Sequence, residues 1–151
     1  MSNFYEFRHR FLAERVRREK DLLRTKDTLA RIAVMILNGV SGVSGLTPGK
    51  EGDVHFVNGM SEKDERVPSP SLTRYSPSGR KLRFSIRLII NEDKEGGYRY
   101  DLPISINYTN EDEKFIVRFL SERVEIYERG IDSDLCRLIW QHLQTGICAV
   151  N

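Results

Sequence analysis

The sequence has few cysteines and little net charge, and both shortages exclude classes of protein. It contains 2 Cys among 151 residues, too few for a disulfide-stabilised scaffold. The 24 basic residues nearly balance the 22 acidic ones, leaving a formal net charge of +2, so the overall charge indicates no particular partner. The hydrophobic fraction of 39% is typical of neither a disordered nor a membrane protein. Because the chain starts without a basic, apolar leader, we expect one small protein in a reducing, cytoplasmic compartment.

The sequence also lacks an unbroken apolar run long enough to span a membrane. Residues 32–49 carry no charge, but Asn38, Gly39 and Pro48 interrupt them. A spanning helix needs about 20 predominantly apolar residues. We therefore expect no membrane partner.

Positive charge is concentrated near the start of the chain, in a segment that reads as one long helix. Residues 1–31 hold nine basic and five acidic residues, a local net charge of +4. No Gly or Pro precedes Gly39, and good helix formers dominate. Asn3 with Glu6 is suited to cap the start. The pattern predicts a helix over residues 3–37 that ends at Gly39.

Two kinds of apolar surface follow one another along this predicted helix. Phe4, Phe7 and Phe11 form an aromatic patch at i, i+3 and i+7. Further on, two apolar rows repeat every seven residues and predict a core-facing second half; they comprise Val16, Leu23, Ala30 and Leu37, and Leu22, Leu29 and Ile36. The first half is either a solvated extension or a docking arm, and the aromatic patch favours neither decisively.

Two sets of candidate binding residues follow from these patterns. The partner-binding set is the aromatic patch with nearby arginines: Phe4, Phe7, Phe11, Arg8, Arg15 and Arg18. The alternative, nucleic-acid-binding set combines the basic helix with the outward face of a predicted strand: Arg10, Arg17, Lys20, Arg24, Lys81, Arg83 and Arg87. We expect Arg99 to lie opposite Arg87 on the next strand.

Composition divides the chain into three segments. After the basic helix of residues 1–38, residues 39–79 are rich in Gly, Pro and Ser and predict a loop, and residues 80–151 predict an antiparallel sheet followed by a C-terminal helix. Within the middle segment we expect one short strand over residues 53–58 and a mobile excursion over residues 60–79.

The last segment has the clearest strand patterns. Residues 82–90 and 98–108 alternate apolar and polar residues and predict an antiparallel hairpin. Pro103 places its strand at an edge or a bulge. Residues 115–127 fit two strands better than a helix, and a final helix begins at Asp132 or Ser133. The fold class is therefore α+β, a three- to four-stranded antiparallel meander with helices on one face.

No set of residues converges on a catalytic or metal site. Cys136, His142 and Cys148 are six residues apart, which does not bring two ligands to one helix face. The acidic residues near Lys94 and Glu113 are explained by solvated turns. We expect no enzyme, no cofactor and no metal. The leading hypothesis is an interaction module or complex subunit that docks a protein, or a second copy, through its N-terminal helix; the alternative is a nucleic-acid binder.

Overall fold

The computed structural model describes nine ranges of the chain. They are residues 3–46, 52–57, 66–67, 75–76, 80–90, 97–109, 114–127, 130–131 and 133–150. The described residues form an N-terminal helix, an antiparallel sheet and a C-terminal helix. This is the predicted α+β arrangement.

Helix α1 (Phe4–Ser44) is 41 residues long, which corresponds to about 62 Å. Its start is capped as predicted, because the Glu6 backbone N–H donates to the Asn3 side-chain oxygen at 2.9 Å. The predicted end at Gly39 is wrong. The helix continues for another turn because Val40 extends its buried stripe. It ends at Gly45, whose left-handed φ of 71° and N–H bond to the Ser41 carbonyl close the last turn.

Within the described ranges, the sheet has five strands of six residues or more, at least one more than the three to four predicted, and two short ones. In chain order they are β1 (Gly52–Val57), β2 (Arg66–Val67), β3 (Tyr75–Ser76), β4 (Lys81–Ile90), β5 (Tyr98–Tyr108), β6 (Lys114–Phe119) and β7 (Glu122–Tyr127). The strand order is β2-β1-β4-β5-β6-β7, with β3 also paired to β4. Strands β4 to β7 are consecutive neighbours and form the predicted meander. Strand β1 adds one strand on the other side of β4.

The ambiguous stretch over residues 115–127 is a hairpin. Strands β6 and β7 pair from Lys114–Tyr127 to Phe119–Glu122, leaving Leu120 and Ser121 as a two-residue connection. The two-strand interpretation is confirmed and the helical alternative is wrong. Strand β5 is not at the edge of the sheet, because it lies between β4 and β6. The described pairing of β5 with β6 covers only residues 105–108, so Pro103 has a described strand partner, Ser85, on one side only.

Both helices pack on one face of the sheet. Helix α2 (Ser133–Val150) buries a stripe that comprises Leu135, Ile139, Leu143 and Ile147. Helix α1 buries Leu29, Ile32, Ala33, Ile36 and Val40. The sheet contributes alternating residues of its strands, among them Phe56, Leu82, Ile86 and Ile106. The opposite, polar face of the sheet carries the intervening residues, among them the three strand residues of the second candidate set.

Only the second half of α1 belongs to the core. Every residue from Asn3 to Asp21 is exposed, and Leu22 is the first that packs partly against the core. The prediction that Val16 and Leu23 face the core is wrong, since both are more than half exposed. The physical reason is that, at about 100° per residue, Val16 and Leu23 lie about 120–140° around the helix from the buried Leu29, whereas Ala30 and Leu37 of the same row pack partly against the core.

The middle segment is only partly described. Residues 39–44 are helical, and residues 52–57, 66–67 and 75–76 form β1, β2 and β3. The rest of the predicted excursion over residues 60–79 lies outside the described residues, so its mobility stays a prediction. The division into three segments also stays a prediction.

Candidate docking surface on the N-terminal helix

The first half of α1 presents large aromatic side chains to solvent. Phe4, Phe7 and Phe11 are 68%, 53% and 51% exposed. The Phe7 and Phe11 rings stack with their centroids 6.2 Å apart, and Phe4 meets Tyr5 edge to face at 5.8 Å. A contiguous apolar patch that is exposed on the surface of a protein is typical of an interaction site.

These three phenylalanines lie on one side of α1, which we call the aromatic face. At about 100° per residue, they fall within about 60° of one another. Phe11 and Leu29 are separated by about five full turns and therefore point in the same direction. Because Leu29 is fully buried against the core, the aromatic face continues the core-facing side of the helix beyond the last core contact.

The predicted partner-binding arginines flank the aromatic face. Arg8, Arg15 and Arg18 fall within about 60° of Phe11 around the helix axis. Next to them is a shallow concavity of about 250 Å³ lined by Phe11, Glu14, Arg15, Arg18, Glu19 and Leu22. Within it, Arg15 Nε lies 3.5 Å from Glu19 Oε1. The structure thus brings all six predicted residues onto one exposed surface.

The helix residues of the nucleic-acid set lie on a different side, the arginine face. Arg10, Arg17 and Arg24 are seven residues apart, and together with Lys20 they fall within about 80° of one another. All four are exposed. In the described part of the chain, no carboxylate forms an ion pair with them. Their mean direction is about 130° from the aromatic face, so the two candidate sets can be varied independently.

The sequence did not predict a third, apolar face of α1. Tyr5, Leu12, Val16 and Leu23 are all exposed and fall within about 40° of one another. The signal was present in the sequence as two pairs, 5 with 12 and 16 with 23, at heptad spacing. The sequence assigns Val16 and Leu23 to the core because their row continues into Ala30 and Leu37, and it assigns Tyr5 and Leu12 to neither surface.

The three strand residues of the nucleic-acid set do not form one exposed surface. Lys81 is half-buried and Arg83 is exposed, but Arg87 is only 3% exposed. Its guanidinium forms a bidentate pair with Asp101, with Nε–Oδ1 at 2.6 Å and Nη2–Oδ2 at 2.9 Å. Alternation along β4 places Arg87 on the same polar face as Lys81 and Arg83, but its side chain is buried there and is not open to a ligand. The predicted position of Arg99 is wrong, because register places Asp101 opposite Arg87 and Arg99 opposite Ile89.

A buried histidine lies beside this ion pair. His55 of β1 is the register partner of Arg87 and is 6% exposed. Burial lowers the pKa of the His55 imidazole below its ordinary value, and the positive charge of Arg87 lowers it further, while the Asp101 carboxylate opposes both. The group is therefore a neutral part of the polar face at neutral pH.

The Cys and His residues of α2 do not form a ligand set. Cys136 is buried, with its Sγ 3.9 Å from the Ile36 carbonyl oxygen, and Cys148 is exposed. The His142 ring lies 3.4 Å from the Glu122 carboxylate. Across the described ranges, no three His, Cys, Asp or Glu side chains cluster as metal ligands would. The charged turns at residues 92–94 and 111–113 lie outside those ranges.

Comparison with known proteins adds no family to this geometry. No protein-family model, no curated protein and no solved structure matches the chain. In the described part of the chain, neither helix has an apolar stretch of the length needed to cross a membrane.

Proposed function

We propose that this protein is a non-enzymatic interaction module that docks a partner protein through the aromatic face of α1. The observation that carries the proposal is the exposure of Phe4, Phe7 and Phe11 on a part of the helix with no core contact. Burying apolar surface stabilises a complex by roughly 25 cal/mol per Å² before the costs of association. Aromatic anchors flanked by arginines are also the residue types enriched at energetically important interface positions.

Charge favours an acidic helix of a partner protein as the occupant. Residues 1–31 carry a net charge of +4, and Arg8, Arg15 and Arg18 flank the aromatic face. A second copy would bring the same positive surface to the interface. Like charges placed together across an interface reduce the binding free energy by roughly several kcal/mol. An amphipathic helix with leucines on one side and flanking glutamates complements both the apolar and the charged parts of the surface.

The test uses a synthetic amphipathic helical peptide with a leucine stripe and flanking glutamates. A peptide with the same stripe and flanking lysines is the control for charge. We expect the acidic peptide to bind at least about tenfold more tightly than the basic one, in line with one or two charge-assisted contacts. Fluorescence anisotropy with the full chain measures both affinities. Equal binding of the two peptides would contradict the proposed partner chemistry.

Two variants separate binding from folding. Phe4→Ala, Phe7→Ala and Phe11→Ala together are expected to abolish peptide binding while leaving the melting temperature unchanged, because none of these side chains is in the core. Were they core residues, each truncation would cost about 3–5 kcal/mol and the domain would unfold. Light scattering on the same samples shows whether a concentration-dependent dimer forms. A dimer that the triple variant abolishes would instead assign the face to a second copy.

A specific observation supports nucleic-acid binding as a second candidate function. Arg10, Arg17 and Arg24, with Lys20, form an exposed row on α1 in which no described carboxylate neutralises them. Positive rows of this kind contact phosphate backbones electrostatically, without reading sequence. Because the arginine face and the aromatic face point in different directions, the two functions are separable by mutation.

A further inference from the structure

A second cationic surface lies on the polar face of the sheet, away from α1. Arg83 of β4, Ser105 of β5 and Arg118 of β6 are direct register partners. Arg123 of β7 lies opposite Arg118 and extends the row. With strands about 4.8 Å apart, these four residues form a row of about 14 Å across the sheet. We call it the Arg83–Arg123 row.

The charge of this row is only partly balanced within the protein. Arg123 Nη1 lies 3.2 Å from Glu125 Oε1, and Glu125 also pairs with Lys114. Arg118 reaches only the neutral Asn107 side chain, at 3.5 Å. No described carboxylate pairs with Arg83 or Arg118. Like charges directly opposite each other on a sheet are destabilising, and Glu125 balances only Arg123 of this pair, so an anion bound beside Arg118 would relieve the remaining repulsion.

A concavity opens at this row. Its volume is about 390 Å³, which is within the range of small-ligand sites, about 300–1,000 Å³. It is lined by residues of β4, β5, β6 and the β6–β7 connection: Arg83, Ser85, Pro103, Ser105, Arg118 and Leu120, with adjoining backbone. Leu120 forms an apolar rim and has a left-handed φ of 52°, a strained conformation for a leucine.

We propose that the Arg83–Arg123 row binds a phosphate group, seated over Ser105 between Arg83 and Arg118. A guanidinium offers parallel N–H donors that match two phosphate oxygens, and the strand spacing places one arginine on either side of the serine. Ser105 lies between the two arginines in the strand register, and its hydroxyl would donate a further hydrogen bond to the phosphate. Arg123 adds positive charge at the open end. This proposal does not depend on the function of α1.

The test is a nuclear magnetic resonance titration of the full chain with inorganic phosphate. Chloride at matched ionic strength is the control for non-specific screening. We expect saturable shifts of the Arg83, Ser105 and Arg118 backbone amides with phosphate only. In the variant Arg83→Gln/Arg118→Gln, affinity should fall at least about tenfold, as expected for the loss of charged hydrogen bonds. Both side chains are exposed, so the variant should fold normally.

A matched variant on α1 controls for the loss of two positive charges. Arg17→Gln/Arg24→Gln removes the same charge from a different surface and should leave phosphate affinity unchanged. The proposal is overturned if phosphate shifts no amide of the row, if chloride gives the same shifts, or if the α1 variant weakens binding as much as the sheet variant does.

Two further ligands identify the source of the phosphate. A nucleoside monophosphate that binds as tightly as a single-stranded oligothymidylate indicates a small phosphorylated molecule. An oligothymidylate that binds more tightly, with the same dependence on Arg83 and Arg118, indicates a nucleic-acid strand lying along the row. Either result supports a phosphate site, whereas binding of the oligothymidylate that ignores both arginines counts against it.

Discussion

His55 on β1 is buried beside the Arg87–Asp101 ion pair, and its surroundings lower the pKa of its imidazole. The unfolded chain takes up a proton near the ordinary histidine pKa of about 6.5, while the folded protein does so only at lower pH. More protons are then bound in the unfolded state, so stability rises with pH through this window. We therefore expect the free energy of unfolding to be highest above about pH 6.5 and to fall as the pH drops below that value.

The variant His55→Gln should lose much of this pH dependence, because it keeps a polar side chain but cannot titrate. One proton per molecule changes stability by at most about 1.4 kcal/mol per pH unit. Urea unfolding of both proteins between about pH 5 and 7 measures the difference while staying above the ordinary carboxylate range. Parallel pH profiles for the two proteins would show that His55 is not the group responsible.

Leu120 is strained and exposed, so its replacement should stabilise the hairpin. It is 62% exposed and has a φ of 52°. This left-handed backbone conformation is about 1–2 kcal/mol less favourable for leucine than for glycine. Leu120→Asn places a residue that tolerates this conformation in the β6–β7 connection without removing core contacts. We expect the melting temperature to rise by a few degrees, about 2–4 °C. A lower melting temperature would mean that Leu120 makes a contact worth more than the strain.

Among the secondary-structure elements, two helical glycines allow close packing, one between α1 and α2 and the other between α2 and the sheet. A Cβ on Gly39 of α1 would overlap the Cys136 Sγ atom of α2, and one on Gly146 of α2 would overlap the Tyr100 ring of β5. A Cβ on Gly42 of α1, by contrast, would meet no other atom within 4 Å. We predict that Gly39→Ala and Gly146→Ala each destabilise the protein by about 1–3 kcal/mol through overpacking.

Gly42→Ala is the matched control and should stabilise by about 0.5–1 kcal/mol, because alanine restricts the unfolded chain and favours the helix. Urea unfolding of all three variants gives the comparison. If Gly39→Ala also stabilised, Gly39 would be acting only as a weak helix former rather than as a contact with α2.

These glycines also show why the end of α1 was mispredicted. A glycine after a periodic apolar stretch usually marks a helix C-terminus, and the sequence does not show that Gly39 is needed for contact with Cys136, a residue 97 positions later in the numbering. The strands of the meander were predictable because alternation is a local signal. The pairing of β1 with β4 was not, since it joins segments separated by 23 residues whose sequence has no clear apolar periodicity.

On the scale of the whole molecule, α1 projects well beyond the layer that it helps to form. Residues 4–21 span about 27 Å at 1.5 Å per residue and make no contact with the described core. The sequence predicted the aromatic patch and its flanking arginines, because both follow from helical spacing. It did not predict that Asp101 pairs with Arg87, because the register that joins them depends on the number of residues that connect β4 with β5.

The projecting half of α1 also makes the nucleic-acid alternative testable on the intact protein. If the arginine face neutralises about four phosphates through Arg10, Arg17, Lys20 and Arg24, the log–log salt slope on a duplex should be near −3.6, about −0.9 per phosphate. Fluorescence anisotropy over a series of salt concentrations measures this slope.

Changing those four residues to Gln should remove the binding, whereas the Phe4, Phe7 and Phe11 variant should retain it. The reverse pattern, with binding lost only in the phenylalanine variant, would mean that duplex contacts depend on the aromatic face. If no duplex binding is measured at low salt, where electrostatic contacts are strongest, this helix does not bind duplexes.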